Sequence, residues 1–195
     1  REAIKQTVKS IKGIEVSNTD IEKIKQKPNS NNDWDVSYAI AYEIDDPTSI
    51  DRSSKSYIEL KEKFQRIYLG TLRALETSLA DITLLRQLAM EGYKLGIVTS
   101  LPRAEALYAL NRLLPAIFDP TFIVAFEDCS KEKPNPDPLL LAKQKMRCMR
   151  PIYVGDTIND ALAARSAGMK FVSVVQGLDG DFFIKNVNQI YKVLT

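Results

Sequence analysis

Asp156 and Asp160 follow the apolar run Ile152-Tyr153-Val154 and a glycine, Gly155. Ile, Tyr and Val favour a short buried strand. Gly155 is expected to end it where the backbone turns sharply. Asp156 then falls at the carboxyl end of the strand, where open α/β sheets bind ligands. Asp160 comes one helical turn later, in the first turn of a helix. Two carboxylates held together there make a hard-oxygen site suited to Mg²⁺. Acids at a helix start also serve the macrodipole alone. That alternative weighs more on Asp160 than on Asp156.

Two further stretches end in groups suited to an oxyanion. Thr99 and Ser100 follow the strand-like Gly96-Ile97-Val98, and Pro102 opens the next helix. A hydroxyl beside free N–H groups at a helix start suits a phosphate oxygen, although Ser100 could simply cap the helix. Lys133 stands on a loop stiffened by Pro134, Pro136 and Pro138, and Pro134 biases it to an extended conformation. A lysine held in this way is well placed to neutralise a phosphoryl group. A solvated surface lysine is the alternative, which fits Lys131 better. Asp137 and Pro138 read as the N-cap and first residue of the helix that follows.

The elements that must position these residues alternate. A helix over 79–91, a strand over 94–100, a helix over 102–114 and a strand over 121–126 lead to a helix over 137–146. The strand and helix of 151–168 follow, then a strand over 170–175 and a weaker helix over 182–194. Such alternation predicts a parallel sheet with helices on its faces. In the helix after Gly155, Ile158, Ala161 and Leu162 begin an apolar face. Ala161, Ala164 and Gly168 form a row of small residues that lets the helix lie close to the sheet. Residues 1–72 read differently, as helices over 1–13, 18–26, 31–44 and 53–69 with no strong strand signal.

Bulk properties narrow the classes. The chain has 195 residues, is 45% hydrophobic and carries a net charge of +2, which gives no general pull toward nucleic acid or membranes. No apolar run approaches a membrane span of roughly 20 residues. There is no histidine, which rules out Ser-His-Asp and Cys-His catalysis within this chain. Cys129 and Cys148 have no metal-like spacing and are expected as free thiols in a reducing compartment, the cytoplasm.

Over roughly residues 75–178 the sequence resembles the haloacid dehalogenase-like hydrolases. GIVTS is similar to that family's second motif, KPNPDPLLLA to its third and VGDTINDALAARSAG to its fourth. The resemblance implies a Rossmann-like core, residues 73–195. It implies a small helical cap, residues 1–72, of the phosphoglycolate phosphatase-like branch, closing over the site. By the same resemblance Thr99 and Ser100 bind phosphate, and Lys133 stabilises it. Asp156 and Asp160 hold Mg²⁺, with Asp160 at the edge or acting through water. The implied chemistry is hydrolysis of a small phosphorylated metabolite through an aspartyl-phosphate. A catalytically inactive module binding phosphate or a protein, and a sugar phosphomutase, stand as alternatives. Oligomeric state is left open.

One motif of the family, a strand ending in D-x-D-G, is absent. Asp33-Trp34-Asp35, Asp45-Asp46-Pro47-Thr48 and Asp179-Gly180-Asp181 lack its context. The expected place for that strand is upstream of Arg1, roughly 15–25 residues by the length of a strand and its connection. It would lie between the strands at 94–99 and 151–154, which would otherwise flank a gap of roughly two strand spacings or close together. Thr99, Lys133 and Asp156 are expected to converge beneath the helical unit, within roughly 10 Å of one point.

Overall fold

The computed structural model describes residues 1–30 and 32–194. Asn31, where the sequence starts its third helix, lies outside them. In chain order the helices are α1 (Glu2–Lys12), α2 (Asn18–Lys25), α3 (Asp33–Tyr42), α4 (Lys55–Gly70), α5 (Ile82–Met90), α6 (Arg103–Leu113), α7 (Asp137–Met146) and α8 (Ile158–Ser166). The strands are β1 (Ile97–Val98), β2 (Ile123–Val124), β3 (Ile152–Gly155), β4 (Lys170–Ser173) and β5 (Phe182–Phe183). The chain forms two compact units, Arg1–Glu76 and Thr77–Thr195. Among the described residues no helix is long and apolar enough to cross a membrane.

The second unit is α/β with parallel strands. β1 pairs with β2, and β3, β4 and β5 pair in that order. Strand alternation sorts their side chains to two faces. Phe171 and Tyr153 pack with Leu139 of α7 and with Ala161, Ala163 and Ala164 of α8. Val172, Ile152 and Val154 pack on the other face with Leu85 and Leu88 of α5 and with Ile184 and Ile190. The buried apolar residues of α8 are Ala161, Ala163 and Ala164, beside the buried Asn159 and Asp160, while Ile158 and Leu162 are only half-buried. Of the expected row of small residues, Ala161 and Ala164 pack with Phe171 of β4, whereas Gly168 lies past the helix end and is exposed.

Several expectations need correction. The strands expected over 94–100 and 121–126 contract to two residues each. Turns at Pro120–Phe122 and Phe126–Asp128 take up the rest of the second. The helix expected over 79–91 starts only at Ile82, because Asp81 accepts the Thr83 N–H and caps it there. Asp137 is the first residue of α7 and not its N-cap, and Asn135 accepts the Asp137 N–H instead. Gly70 is the last residue within α4. Among the described residues no α-helix follows β4. Phe182-Phe183 is an aromatic pair suited to a strand, and it adds to β4 as β5 before a 3₁₀ segment over Val187–Val193. Asp179-Gly180-Asp181 therefore precedes a strand, and the Asp181 carboxylate accepts the Phe171 N–H of β4.

β1 and β3 belong to separate ladders and are not paired with each other. All four residues of β3 and both of β1 are half-buried, whereas β2 is buried throughout and β4 is buried at three of four positions. In a complete parallel sheet the inner strands are the most buried. Here the strands that should be inner are the more open ones.

The first unit is all-helical. A capping box of Ser17 and Asp20 starts α2, Asn32 caps α3 and Ser54 caps α4. Gly13 takes the left-handed conformation, φ 71°, that closes α1. α1 packs on α3 and α4, and Ile4, Val8, Ile21, Val36 and Leu60 are fully buried. One acid sits inside. Asp35 accepts hydrogen bonds from Asn32 Nδ2 (2.9 Å), Arg52 (2.5 Å) and the Tyr57 hydroxyl (2.7 Å), with its side chain 1% exposed. It ties the start of α3 to α4. Its carboxylate is committed to that task, so Asp33-Trp34-Asp35 is a helix start and not a strand-end acid pair. Asp35→Ala would strand three polar partners and is expected to cost about 3 kcal/mol, read as a lower urea midpoint.

Candidate active site

The strand-loop-helix of β3 and α8 carries the candidate site residues Asp156 and Asp160. Gly155 is the last residue of β3, paired with Ser173. Its role differs from the expected sharp turn, since its φ is not positive. A Cβ there would lie 2.5 Å from Asp160 Cβ and 2.7 Å from its Cγ. Glycine is required because the strand end and the first turn of α8 approach too closely for any side chain. Asp156 follows and is exposed. Thr157 then caps α8. Its hydroxyl accepts the Asp160 N–H (3.1 Å), and Asp160 Oδ2 accepts the N–H groups of Thr157 (3.1 Å) and Asp156 (3.2 Å).

Asp160 reaches across to Lys133 with its other oxygen. Oδ1 accepts from Lys133 Nζ at 2.7 Å and from the Tyr153 hydroxyl at 2.9 Å, and Nζ also donates to the Tyr153 oxygen at 3.0 Å. The Lys133 and Asp160 side chains are only 11% and 5% exposed. Burial alone would push the lysine pKa down, but the adjoining carboxylate outweighs it and holds the ammonium above its ordinary range. Burial likewise pushes Asp160 up, and the ammonium with the Thr157 and Tyr153 hydrogen bonds brings it below the usual carboxylate value. Tyr153 is pushed up, chiefly by burial and by the neighbouring carboxylate, so its phenol stays protonated. The Lys133–Pro134 peptide bond is cis.

Of the expected site residues, Lys133, Asp160 and the backbone of Asp156 are joined by hydrogen bonds at the carboxyl end of β3. Thr99 follows β1. Its N–H donates to Val124 O, and its hydroxyl accepts the Leu101 N–H at 3.1 Å. Ser100 is half-buried beside it. Among the described residues the Lys133 set is joined through Tyr153 and Asp160, and Thr99 is bonded instead to Val124 and Leu101. Both oxygens of Asp160 are taken up by donors, whereas the Asp156 carboxylate faces solvent. Among the described residues no group of three or more His, Cys, Asp or Glu forms a metal cage. One exposed carboxylate still fits Mg²⁺, which keeps several waters and is held by one or two carboxylates plus substrate oxygens.

The other acid pairs are engaged elsewhere. Asp33 pairs with Lys25, Asp46 caps the turn at Thr48, Asp179 pairs with Arg165 and Asp181 with Lys170. Sequence reasoning missed Tyr153, which it took as an apolar strand residue. Its signal was available, since the phenol stands one strand pleat before Gly155 and a buried tyrosine hydroxyl needs a partner. It also missed Arg103, which donates to Ile123 O and to the Asp128 carboxylate and so ties the start of α6 to β2 and to the turn after it.

Comparison with known proteins places the chain. The model of the haloacid dehalogenase-like hydrolase family matches residues 5–174. A candidate pyrophosphatase PpaX of Caldanaerobacter subterraneus subsp. tengcongensis is 32% identical over 162 residues, 76% of this chain and 73% of that protein. A phosphoglycolate phosphatase of Pectobacterium atrosepticum is 32% identical over 122 residues, 61% of this chain and 52% of that protein. The chain thus spans about half the length of the second. The crystal structure of a candidate haloacid dehalogenase-like hydrolase from Bacteroides fragilis superposes with a TM-score of 0.79, covering 97% of this chain and 90% of that one at 19% identity.

Two outcomes follow from the buried pair. Asp160, its pKa lowered, contributes stability above its unfolded value of about 3.9, lost as the pH falls through the folded value. Lys133, its pKa raised, contributes below its unfolded value of about 10.4, lost as the pH rises through the folded one. Lys133→Met leaves Asp160 buried and unpaired, and at pH 7 is expected to cost about 3–5 kcal/mol. Urea melts from pH 7 to pH 3 should show that loss shrinking, first as the unpaired Asp160 of the variant protonates and then, below about pH 3.9, as the wild-type pair begins to lose its stabilisation. A loss independent of pH would mean that the charge pair is not its source. Gly155→Ala is expected to destabilise by about 1–3 kcal/mol through the clash with Asp160, measured in the same melts.

Proposed function

The chain belongs to the haloacid dehalogenase-like hydrolase family, and from that premise we propose that it serves a Mg²⁺-dependent phosphatase of small phosphomonoesters. The observation that carries this function is the buried Lys133–Asp160 pair beside the exposed Asp156 carboxylate, at the carboxyl end of a parallel strand. Both relatives described above are named for hydrolysis at phosphorus. The free thiols of Cys129 and Cys148 accord with a cytoplasmic setting.

Each residue has a distinct task. Lys133 stays cationic at neutral pH because Asp160 holds it so, and it neutralises oxygens of the transferring phosphoryl group. Asp160 does not touch the substrate. It aims the ammonium and fixes the turn that presents Asp156. Asp156 holds Mg²⁺, which when bound supplies Lewis-acid stabilisation of phosphoryl oxygens. The Thr99 hydroxyl, with Ser100 beside it, binds a further phosphoryl oxygen. The nucleophile of this reaction is the aspartate of the family's first motif, whose strand is not among these residues. Its carboxylate oxygen attacks phosphorus as the P–O ester bond breaks and the leaving oxygen takes a proton from solvent, and water then hydrolyses the aspartyl-phosphate, releasing inorganic phosphate and the free carboxylate. The separation of β1 from β3, and their half-buried edges, support a place for that strand between them.

Asp156→Asn in the full-length gene product is expected to lower Mg²⁺-dependent hydrolysis of p-nitrophenyl phosphate by at least about 100-fold, with circular dichroism unchanged. Undiminished turnover would remove Asp156 from the site. A wild-type protein that binds phosphate without turnover, with or without Mg²⁺, would favour a binding module instead.

A further inference from the structure

The Lys133 ammonium carries three hydrogens. One goes to Asp160 Oδ1 at 2.7 Å and one to the Tyr153 oxygen at 3.0 Å. The phenol hydrogen closes the triangle onto the same Oδ1 at 2.9 Å. A lysine held by one carboxylate alone can swing about that contact. Held by two acceptors, it has one remaining N–H in a fixed direction. Tyr153 is itself well anchored. It lies in β3, packs against the α7 and α8 residues Leu139 and Ala161, and has its ring 6.3 Å from that of Phe171. Its hydroxyl is the only part that an apolar strand residue would not need.

We propose that Tyr153 is a positioning residue, whose hydroxyl acts as the second acceptor of the Lys133 ammonium and so aims its third N–H at the transferring phosphoryl group. This role rests on the phosphatase function proposed for Lys133. Tyr153 touches no substrate and transfers no proton. It acts by removing the freedom that a buried ammonium on four flexible carbons would otherwise keep.

Tyr153→Phe deletes the hydroxyl and keeps the ring, so the apolar packing survives. Two measurements on the full-length protein test the role. The first is hydrogen exchange of the Lys133 ammonium, followed by NMR in ¹⁵N-lysine-labelled protein and assigned with Lys133→Met. Loss of one hydrogen bond is expected to speed it about tenfold. The second is steady-state hydrolysis of p-nitrophenyl phosphate. There kcat is expected to fall about tenfold while KM stays within about twofold, since an aim and not a binding contact is lost. Unchanged exchange would overturn the proposal, and so would faster exchange with unchanged kcat in an active enzyme. If the wild-type protein shows no turnover, the phosphatase function fails, and the proposed aiming of a phosphoryl group falls with it. Exchange then still tells whether Tyr153 restrains the ammonium. Should Tyr153→Phe fail to fold, 3-fluorotyrosine at position 153 keeps the hydroxyl but weakens it as an acceptor. Exchange must then rise, and unchanged exchange would overturn the proposal equally.

Discussion

An ammonium taken almost wholly out of water must meet a carboxylate or give up its proton. Lys133 meets Asp160, and much of the second unit is arranged around that contact. The lysine arrives on a proline-stiffened loop after β2, the acid on the first turn of α8. Each needs the other, because removing one leaves a buried charge without a partner. The pair is therefore weak evidence of net stability and strong evidence of a required geometry.

The same contact explains the small residues around it. Asp160 serves as the acid of a capping box and as the partner of a lysine at once. Its two oxygens face opposite ways, one toward the backbone of Asp156 and Thr157 and one toward Lys133 and Tyr153. For that, the helix start must press against the strand end. Gly155 permits it by having no Cβ, and Ala161, Ala163 and Ala164 permit it along the next turns. Asp156 is the residue left outside this arrangement, with its backbone held and its carboxylate free. An exposed carboxylate is thus presented by a neighbour whose own oxygens are both satisfied.

The sheet shows a matching asymmetry. Backbone N–H and C=O groups demand partners, and β3 has them on the β4 side. On its other side no ladder joins it to β1, although the two strands lie in one compact unit. In the helical unit the balance is different. There a buried acid, Asp35, is fully used by Asn32, Arg52 and Tyr57. Two buried carboxylates in one chain thus do unlike work, one tying helices together and one standing behind an exposed neighbour. Partners and position distinguish them, not residue type.

Local rules were enough for much of this. Alternating apolar runs and caps made the α/β order and the all-helical first unit legible, because periodicity and capping act within a few residues. The spacing from Gly155 to Asp160 already marked a strand end with an acid on each side of a helix start. Other features were decided only by tertiary structure. Phe182-Phe183 became a strand because β4 offered an edge, an opportunity invisible in a segment that reads equally well as helix. β1 and β2 shrank because a strand lasts only as long as its partner does. Gly155 proved necessary for space and not for φ, which depends on how close Asp160 comes. Tyr153 looked apolar because its hydroxyl finds its partners 7 and 20 residues away in sequence. Hydrogen bonds between elements are set by how those elements pack, and no local pattern encodes that.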